Sequence, residues 1–480
     1  MSDINMIKLG PAKCGIDLGD GSERAEYVNQ DYILNTLGRP HRNIGIMYTY
    51  YPKDKEWPQR ISEACKDMDI TFQWDYPYDD YFPYRGGIDG DTKGQPFEQM
   101  RDIRRHGQDV TLTLTIDCSL EDEYLRQIAR DLKSFGRMRL RINHECGGNW
   151  FTHNQRFSYK EVGDFFVRFA RIVKEEAPHI KIIFCGPSID AASETPKLSY
   201  EEEFRAPLEV ADIWSEDCYL ALHYGWPFDV CEKGGTSYTV TPVEKFICDM
   251  KKTSDRATAV NNGICKPMVI SEFNTDGDVT GPKRQGESIK RFVDKLKTED
   301  GDWFDGFSMY QFRDRGRLGL EIEDPNNKAV GIPQPVLKDY REILKDEYFM
   351  PRITTGEKAA LPVTLRWGGA EDADGIELPI KFERNPEFCE ITFEEDLNLM
   401  MEINGRWFYK APDTKTVDLM PAFFESDIQD GEIITLKIFA PPASGENDPA
   451  QGDDWTINYY TTMSKLPELR IRYESVQDVD

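Results

Sequence analysis

No two cysteines in this chain are spaced C-x-x-C, no glycine-rich phosphate loop follows a strand-like run, and no apolar run approaches the length of a membrane span. Each absence removes a class of protein. The ten cysteines stand singly at 14, 65, 118, 146, 185, 218, 231, 248, 265 and 389. Several sit inside apolar runs, as in Ile183-Phe184-Cys185 and Phe246-Ile247-Cys248. They read as buried free thiols, which argues against a disulfide framework or a zinc site. Without G-x-G-x-x-G or G-x-x-x-x-G-K-[ST] after a strand, the common nucleotide-binding scaffolds drop out. Positive charge is also scarce: 59 basic residues face 86 acidic ones, a formal net charge of −27. A field of that sign repels nucleic acid and anionic membrane surfaces and leaves neutral ligands unpenalised. Met1–Gly10 lacks the apolar core of a signal peptide. The chain therefore reads as soluble and cytoplasmic, or as secreted if a leader has been removed. No feature points to a particular oligomeric state.

What is present is a long alternation. Between about residues 40 and 314, short β-rich apolar runs alternate with amphipathic stretches. The runs are Asn43–Tyr51, Ile70–Tyr76, Thr111–Cys118, Met138–Glu145, Ile180–Pro187, Cys218–Tyr224, Met268–Asn274 and Phe304–Phe312. Helices are expected over Glu56–Met68, Pro96–His106, Leu120–Phe135, Ser158–Ala177, Thr241–Thr258 and Pro282–Thr298, with Ser119 and Ser158 as N-caps. Eight strands alternating with helices predict a (β/α)₈ TIM barrel. The runs are continuous rather than alternating, as strands buried on both faces should be. After residue 350 the helical periodicity stops. Residues 351–360 read as a linker, and 361–480 as an all-β sandwich, jelly-roll-like, with a hairpin turn at Asn404-Gly405. The expected division is thus a barrel domain over 1–350, its first 40 residues an extension, then the linker and the sandwich.

Two runs end in a carboxylate. Leu140–Phe151 reads L-R-I-N-H-E-C-G-G-N-W-F, and Lys266–Asn274 reads K-P-M-V-I-S-E-F-N. By the strand count, Glu145 and Glu272 close the fourth and seventh strands, at the C-terminal face where barrel sites are built. Two carboxyl groups facing each other across such a mouth are what hydrolysis of a glycosidic bond needs: one protonates the leaving oxygen and the other works on the opposite side of the sugar.

Arg141-Ile142-Asn143-His144-Glu145, followed by Gly148-Asn149-Trp150-Phe151, resembles the acid/base signature R-x-x-H-E-x-x-G-x-W-F of glycoside hydrolase family 26. That family belongs to the clan of retaining (β/α)₈ glycosidases and includes β-mannanases, with some xylanases and glucanases. The resemblance implies a retaining hydrolase of a β-linked polysaccharide or oligosaccharide, β-1,4-mannan first and xylan or another β-glycan next. Glu145 would be the acid/base and Glu272 the nucleophile, with no metal or organic cofactor. His144 would bond near the acid or a substrate hydroxyl, or simply be satisfied in the barrel wall. Arg141 and Asn143 share Glu145's strand face. Arg141 would orient the carboxylates or form an ordinary core ion pair. Trp150 would be a sugar platform, whereas Phe151 suits the core equally.

The sixth run ends Leu222-His223-Tyr224-Gly225-Trp226. In the clan a tyrosine here bonds the nucleophile. Tyr224 is the first choice, Tyr219 the alternative. His223 and Trp226 are further substrate-binding candidates, as is Trp74 in the aromatic and acidic loop after the second run. The eighth run lacks the tryptophan usual in related enzymes, so Tyr310 or Phe312 would stand in its place. In the C-terminal region, Trp367, Trp407, Phe408, Tyr409, Tyr459 and Tyr460 would form either a carbohydrate-binding face or core. The rival reading from another class is a non-catalytic carbohydrate-binding protein on a barrel scaffold.

Overall fold

The computed structural model describes residues 4–21, 27–54, 82–224, 237–298, 301–314, 316–447 and 458–474. Eight parallel strands close a barrel: Gly15–Gly19, Asn43–Tyr50, Asp109–Ile116, Met138–Ile142, Lys181–Cys185, Ile213–Asp217, Met268–Phe273 and Phe304–Met309. Closure is made by the first strand, which pairs with both Asn43–Tyr50 and Phe304–Met309. The alternation within a strand sorts its residues. In Asp109–Ile116 the odd-numbered Thr111 and Thr113 line the bore, while Leu112, Leu114 and Ile116 join the buried layer under the helices. Helices Phe97–Arg105, Asp122–Leu132, Tyr159–Glu176, Val243–Val260 and Pro282–Leu296 cover the outside. The fourth-strand helix, Tyr159–Glu176, opens on Ser158 with a full capping box to Glu161. Ser119 does not cap its helix; Glu121 occupies that position.

Two strands differ from the sequence reading. The first barrel strand is Gly15–Gly19, within the segment expected to be an extension. Its five residues, G-I-D-L-G, offer only two apolar side chains, because its inward residue is Asp17. Asp17 is buried and takes two bonds from the Arg42 guanidinium, at 2.9 and 2.8 Å. Burial alone would raise its pKa, but Arg42 overrides that and holds it below the ordinary value. The sixth strand is Ile213–Asp217, not Cys218–Tyr224. The end of the expected run instead forms a hairpin, Ala221–Tyr224 paired with Ser237–Val240. The expected strand at 70–76 lies outside the described residues. Because Gly15–Gly19 takes up one place, Met138–Ile142 and Met268–Phe273 remain fourth and seventh.

The C-terminal region is antiparallel: an eight-stranded sheet with a three-stranded one, Thr416–Asp418, Phe388–Thr392 and Glu468–Arg472. Residues 352–359, expected as linker, are a strand. They pair with Ile4–Gly10, which itself pairs with Asp372–Lys381 on its other side. The chain begins in the sandwich, enters the barrel and returns. The Asn404-Gly405 turn is as expected, with φ of 52° and 77° between strands Leu399–Ile403 and Arg406–Lys410.

The C-terminal aromatic residues do not assemble one open face. Trp367 is 1% exposed and packs with Ile7, Leu9, Ala373 and Phe439. Trp407 stacks on Phe439, and the Tyr409 ring lies 3.8 Å from His106 of the barrel. Phe408 is in the sandwich core, while Tyr460 is exposed. Backbone and side-chain bonds cross the same seam, from Trp407 N to Gly38 O at 2.8 Å and from Asn398 Nδ2 to Arg105 O at 2.8 Å.

Candidate active site

Strand four ends at Ile142, and residues 143–145 turn over the barrel mouth. Asn143 and Glu145 both adopt left-handed backbone, with φ of 43° and 51°. This is uncommon for residues other than glycine and needs fixing from outside. Asn143 supplies the fixing. Its side chain accepts from Ile116 N at 2.6 Å and donates to Ile116 O at 3.2 Å, stitching the turn to the end of the third strand. It is thus a brace for the loop rather than a group pointing at the cleft.

Arg141 lies at the centre. It is 2% exposed, and besides a long contact to the Met47 sulfur its guanidinium donates to oxygens of three residues. Nε donates to Thr113 Oγ1 at 2.7 Å, one terminal nitrogen to both oxygens of Asp217 at 2.7 and 2.8 Å, and the other to Glu272 Oε1 at 2.8 Å. The second Glu272 oxygen accepts from the Tyr219 hydroxyl at 2.8 Å. Tyr219, the alternative of the sequence reading, is therefore a tyrosine on the nucleophile candidate. The cause is the sixth strand ending at Asp217, which puts Tyr219 at the mouth and moves Tyr224 into the hairpin.

Glu145 has different neighbours. Its Oε2 accepts from the Trp150 indole N–H at 2.6 Å. The Gly147-Gly148 turn brings the ring back, so Trp150 holds the acid rather than only offering a flat face. Burial pushes the Glu145 pKa well above the ordinary carboxyl value, and the negative charges of Asp217 and Glu272 push in the same direction. Trp150 and Arg141 pull against them without reversing the sign.

His144 is buried, with Nε2 3.9 Å from Glu272 Oε1 and its ring 4.6 Å from Phe151. Burial, with Arg141 and His153 nearby, drives its pKa well below the ordinary imidazole value, so the ring is neutral near pH 7. Tyr310 follows the eighth strand and meets Tyr219 edge-on at 5.9 Å, placing it in the same cluster as Met47 and Phe151. His223 bonds Asp276 through Nδ1, linking the hairpin after strand six to the loop after strand seven. Trp74 and Trp226 lie outside the described residues, as does the side chain of Tyr224.

Asp217 was not singled out in the sequence. Its side chain is fully buried, and Ser271 Oγ donates to it at 2.6 Å besides the two bonds from Arg141. Burial, and then the charge of Glu272, push its pKa up to about 7 against the pull of Arg141. The available signal was an acid two residues before Tyr219, hidden because the expected run starts at Cys218, one residue past the end of the strand Ile213–Asp217. His144, Asp217 and Glu272 also bring donor atoms within 4.8 Å of one another, close enough to hold a cation. Both of those carboxylates already carry the Arg141 guanidinium.

The fold is a parallel (β/α)₈ barrel joined to an antiparallel sandwich, with buried carboxylates gathered at the barrel's C-terminal mouth. No protein-family model and no curated protein matches the chain. Among solved structures it is similar to a GH26 β-mannanase from Bacteroides ovatus, at 9% identity over 70% of this chain and 90% of that one, TM-score 0.43. It is similar to a modular endo-β-1,4-mannanase from Cellulomonas fimi, at 12% identity over 89% of each chain, TM-score 0.42. A monomeric β-xylosidase from Caulobacter crescentus is similar at 12% identity over 89% of this chain and all 100% of its own, TM-score 0.40. The roles of individual residues rest on the geometry above.

Proposed function

We propose that this chain is a retaining glycoside hydrolase, with Glu145 as acid/base and Glu272 as nucleophile. The observation that carries the reading is the contrast between the two carboxyl groups. Glu272 is held between a guanidinium and a phenol, each donating to one oxygen. Glu145 is pushed toward its protonated form by burial and by neighbouring anions. Two acids kept in different environments within one mouth are how a single site supplies both a proton donor and an attacking carboxylate.

In the first step Glu145 gives its proton to the glycosidic oxygen while a Glu272 oxygen attacks the anomeric carbon. The C–O bond to the leaving sugar breaks and a glycosyl ester on Glu272 forms. Glu145, now ionised, takes a proton from water, which attacks the same carbon and releases Glu272. Arg141 and Tyr219 keep Glu272 aimed through both steps, and Trp150 does the same for Glu145. Double displacement of this kind calls on no metal or organic cofactor.

By the resemblance of Arg141–Phe151 to the family 26 signature, the substrate is a β-linked glycan, β-1,4-mannan first and xylan or another β-glycan second. The test is turnover on a panel of β-1,4-mannan, xylan and glucan. One polysaccharide should be cleaved, and Glu145→Gln and Glu272→Gln should each lower kcat by roughly two to four orders of magnitude while unfolding at the wild-type temperature. Full activity in either variant would remove that residue from its role. Binding of a glycan without turnover would favour the non-catalytic reading.

A further inference from the structure

Beside the loop that carries Glu145 stands a pair of stacked tyrosines that the catalytic scheme does not use. Tyr159 opens the helix after strand four. Tyr200 belongs to the long segment after strand five. Their rings lie 3.7 Å apart at 26°, with Tyr200 38% exposed. A Cβ added to Gly147, two residues beyond Glu145, would sit 4.0 Å from the Tyr200 ring. The pair therefore flanks the acid/base turn itself.

Tyr200 is fixed there by its surroundings. Its backbone is left-handed, with φ of 51°, a region that bulky side chains rarely occupy. The segment before it folds into a small hairpin, with Ile189 bridged to Leu198 and Ser199 N bonded to Ser188 O at 3.1 Å. The next residue, Glu201, is 3% exposed, accepts from Leu198 N at 3.1 Å and is gripped by Arg256. A half-exposed ring in a sparsely populated conformation, clamped from both sides, is a pre-organised surface.

Resting on the glycoside-hydrolase reading above, we propose that Tyr159 and Tyr200 form a sugar-stacking platform for the part of the glycan that departs. Glu145 must reach the leaving oxygen, so the leaving chain passes the loop that carries it, and Gly147 and Tyr200 border that path. The ligand is a β-linked pyranose ring presenting its C–H face, at least one unit beyond the bond being cleaved. The site then acts on chains rather than on isolated disaccharides.

The test is calorimetric binding of β-1,4-linked mannohexaose, xylohexaose and cellohexaose to the Glu272→Gln chain, which holds substrate without turning it over. For the hexaose that binds most tightly, adding Tyr200→Ala should weaken affinity about tenfold, the usual loss when one aromatic anchor is truncated. Tyr200→Phe, which keeps the ring, should bind like the parent. Tyr200→Leu, which fills the space without a ring, should behave like Tyr200→Ala and separates stacking from packing. Parent-like affinity in both the Ala and Leu variants, or no binding of any hexaose, overturns the platform. Wild-type turnover of the same sugars judges the catalytic reading separately. Turnover with no effect at Tyr200 would sink the platform alone, whereas ring-dependent binding without turnover would sink hydrolysis alone.

Discussion

At Arg141 one guanidinium serves two carboxylates, and the consequences reach a third. Asp217 takes two of its bonds and Glu272 one. A second anion this close has a cost and a use: it competes for Arg141, and it helps keep the proton on Glu145. Glu145 acts protonated, so activity should fall as pH rises through its raised pKa, and the alkaline limb of kcat/KM belongs to it. Asp217→Asn removes one of the charges that raise that pKa. Ionised Glu145 is then penalised less, its pKa drops, and the alkaline limb should move to lower pH. The effect should be greatest above about pH 7, where burial no longer keeps Asp217 protonated. A pH profile of the variant on the wild-type substrate checks this; an unmoved or alkaline-shifted limb would show that Asp217 does not act on Glu145. The sequence displayed Glu145 and Glu272 plainly, because an apolar run that stops at an acid is a local pattern. It hid Asp217 and the place of Tyr219 at the mouth, because both depend on where the sixth strand stops.

The elements explain why that boundary, and the first strand, were obscure. Apolar content identifies a barrel strand when its outward face meets helices, as in Asp109–Ile116. Gly15–Gly19 is shorter and turns Asp17 into the bore, where Arg42 and, at 3.5 Å, Arg139 compensate it. A strand stabilised by a buried ion pair carries little periodic signal. Its dependence on that pair is testable. Asp17→Ala leaves Asp305 as the salt-bridge partner of Arg42 among the described residues, and breaking a buried pair from one side typically costs about 3–5 kcal/mol. Denaturant unfolding should show a loss of that order, in the barrel transition. A loss below about 1 kcal/mol, as for an exposed pair, would contradict the place given to this strand.

Over the whole molecule, the two regions are tied by the chain itself. Ile4–Gly10 lies between Arg352–Ala359 and Asp372–Lys381 in the large sheet, so the first residues complete a domain whose other strands come more than 300 residues later. Such a pairing is invisible to reading along the sequence, which is why residues before 40 resembled an extension and residues 351–360 a linker. Removing residues 1–10 should leave two strand edges unpaired and uncover Trp367, Ala373 and Phe439, which are buried here against Ile7 and Leu9. The shortened chain should aggregate or unfold at markedly lower temperature than the full chain, as read by size-exclusion chromatography and thermal denaturation. A shortened chain as soluble and as stable as the parent would mean that this strand is dispensable. The seam built by Trp367, Trp407 and Tyr409 also redirects these rings from an open sugar-binding face toward holding sandwich and barrel together.

The central claim is that Glu272 attacks the anomeric carbon and carries the sugar between the two steps. Activated 2-deoxy-2-fluoro β-glycosyl fluorides slow the second step more than the first and allow the ester to accumulate. After incubation with the compound matching the cleaved glycan, proteolysis and mass spectrometry should find the fluorosugar on the peptide bearing Glu272, and on no other carboxylate. An adduct on Asp217 or Glu145, or unimpaired turnover with no adduct at all, would contradict the account.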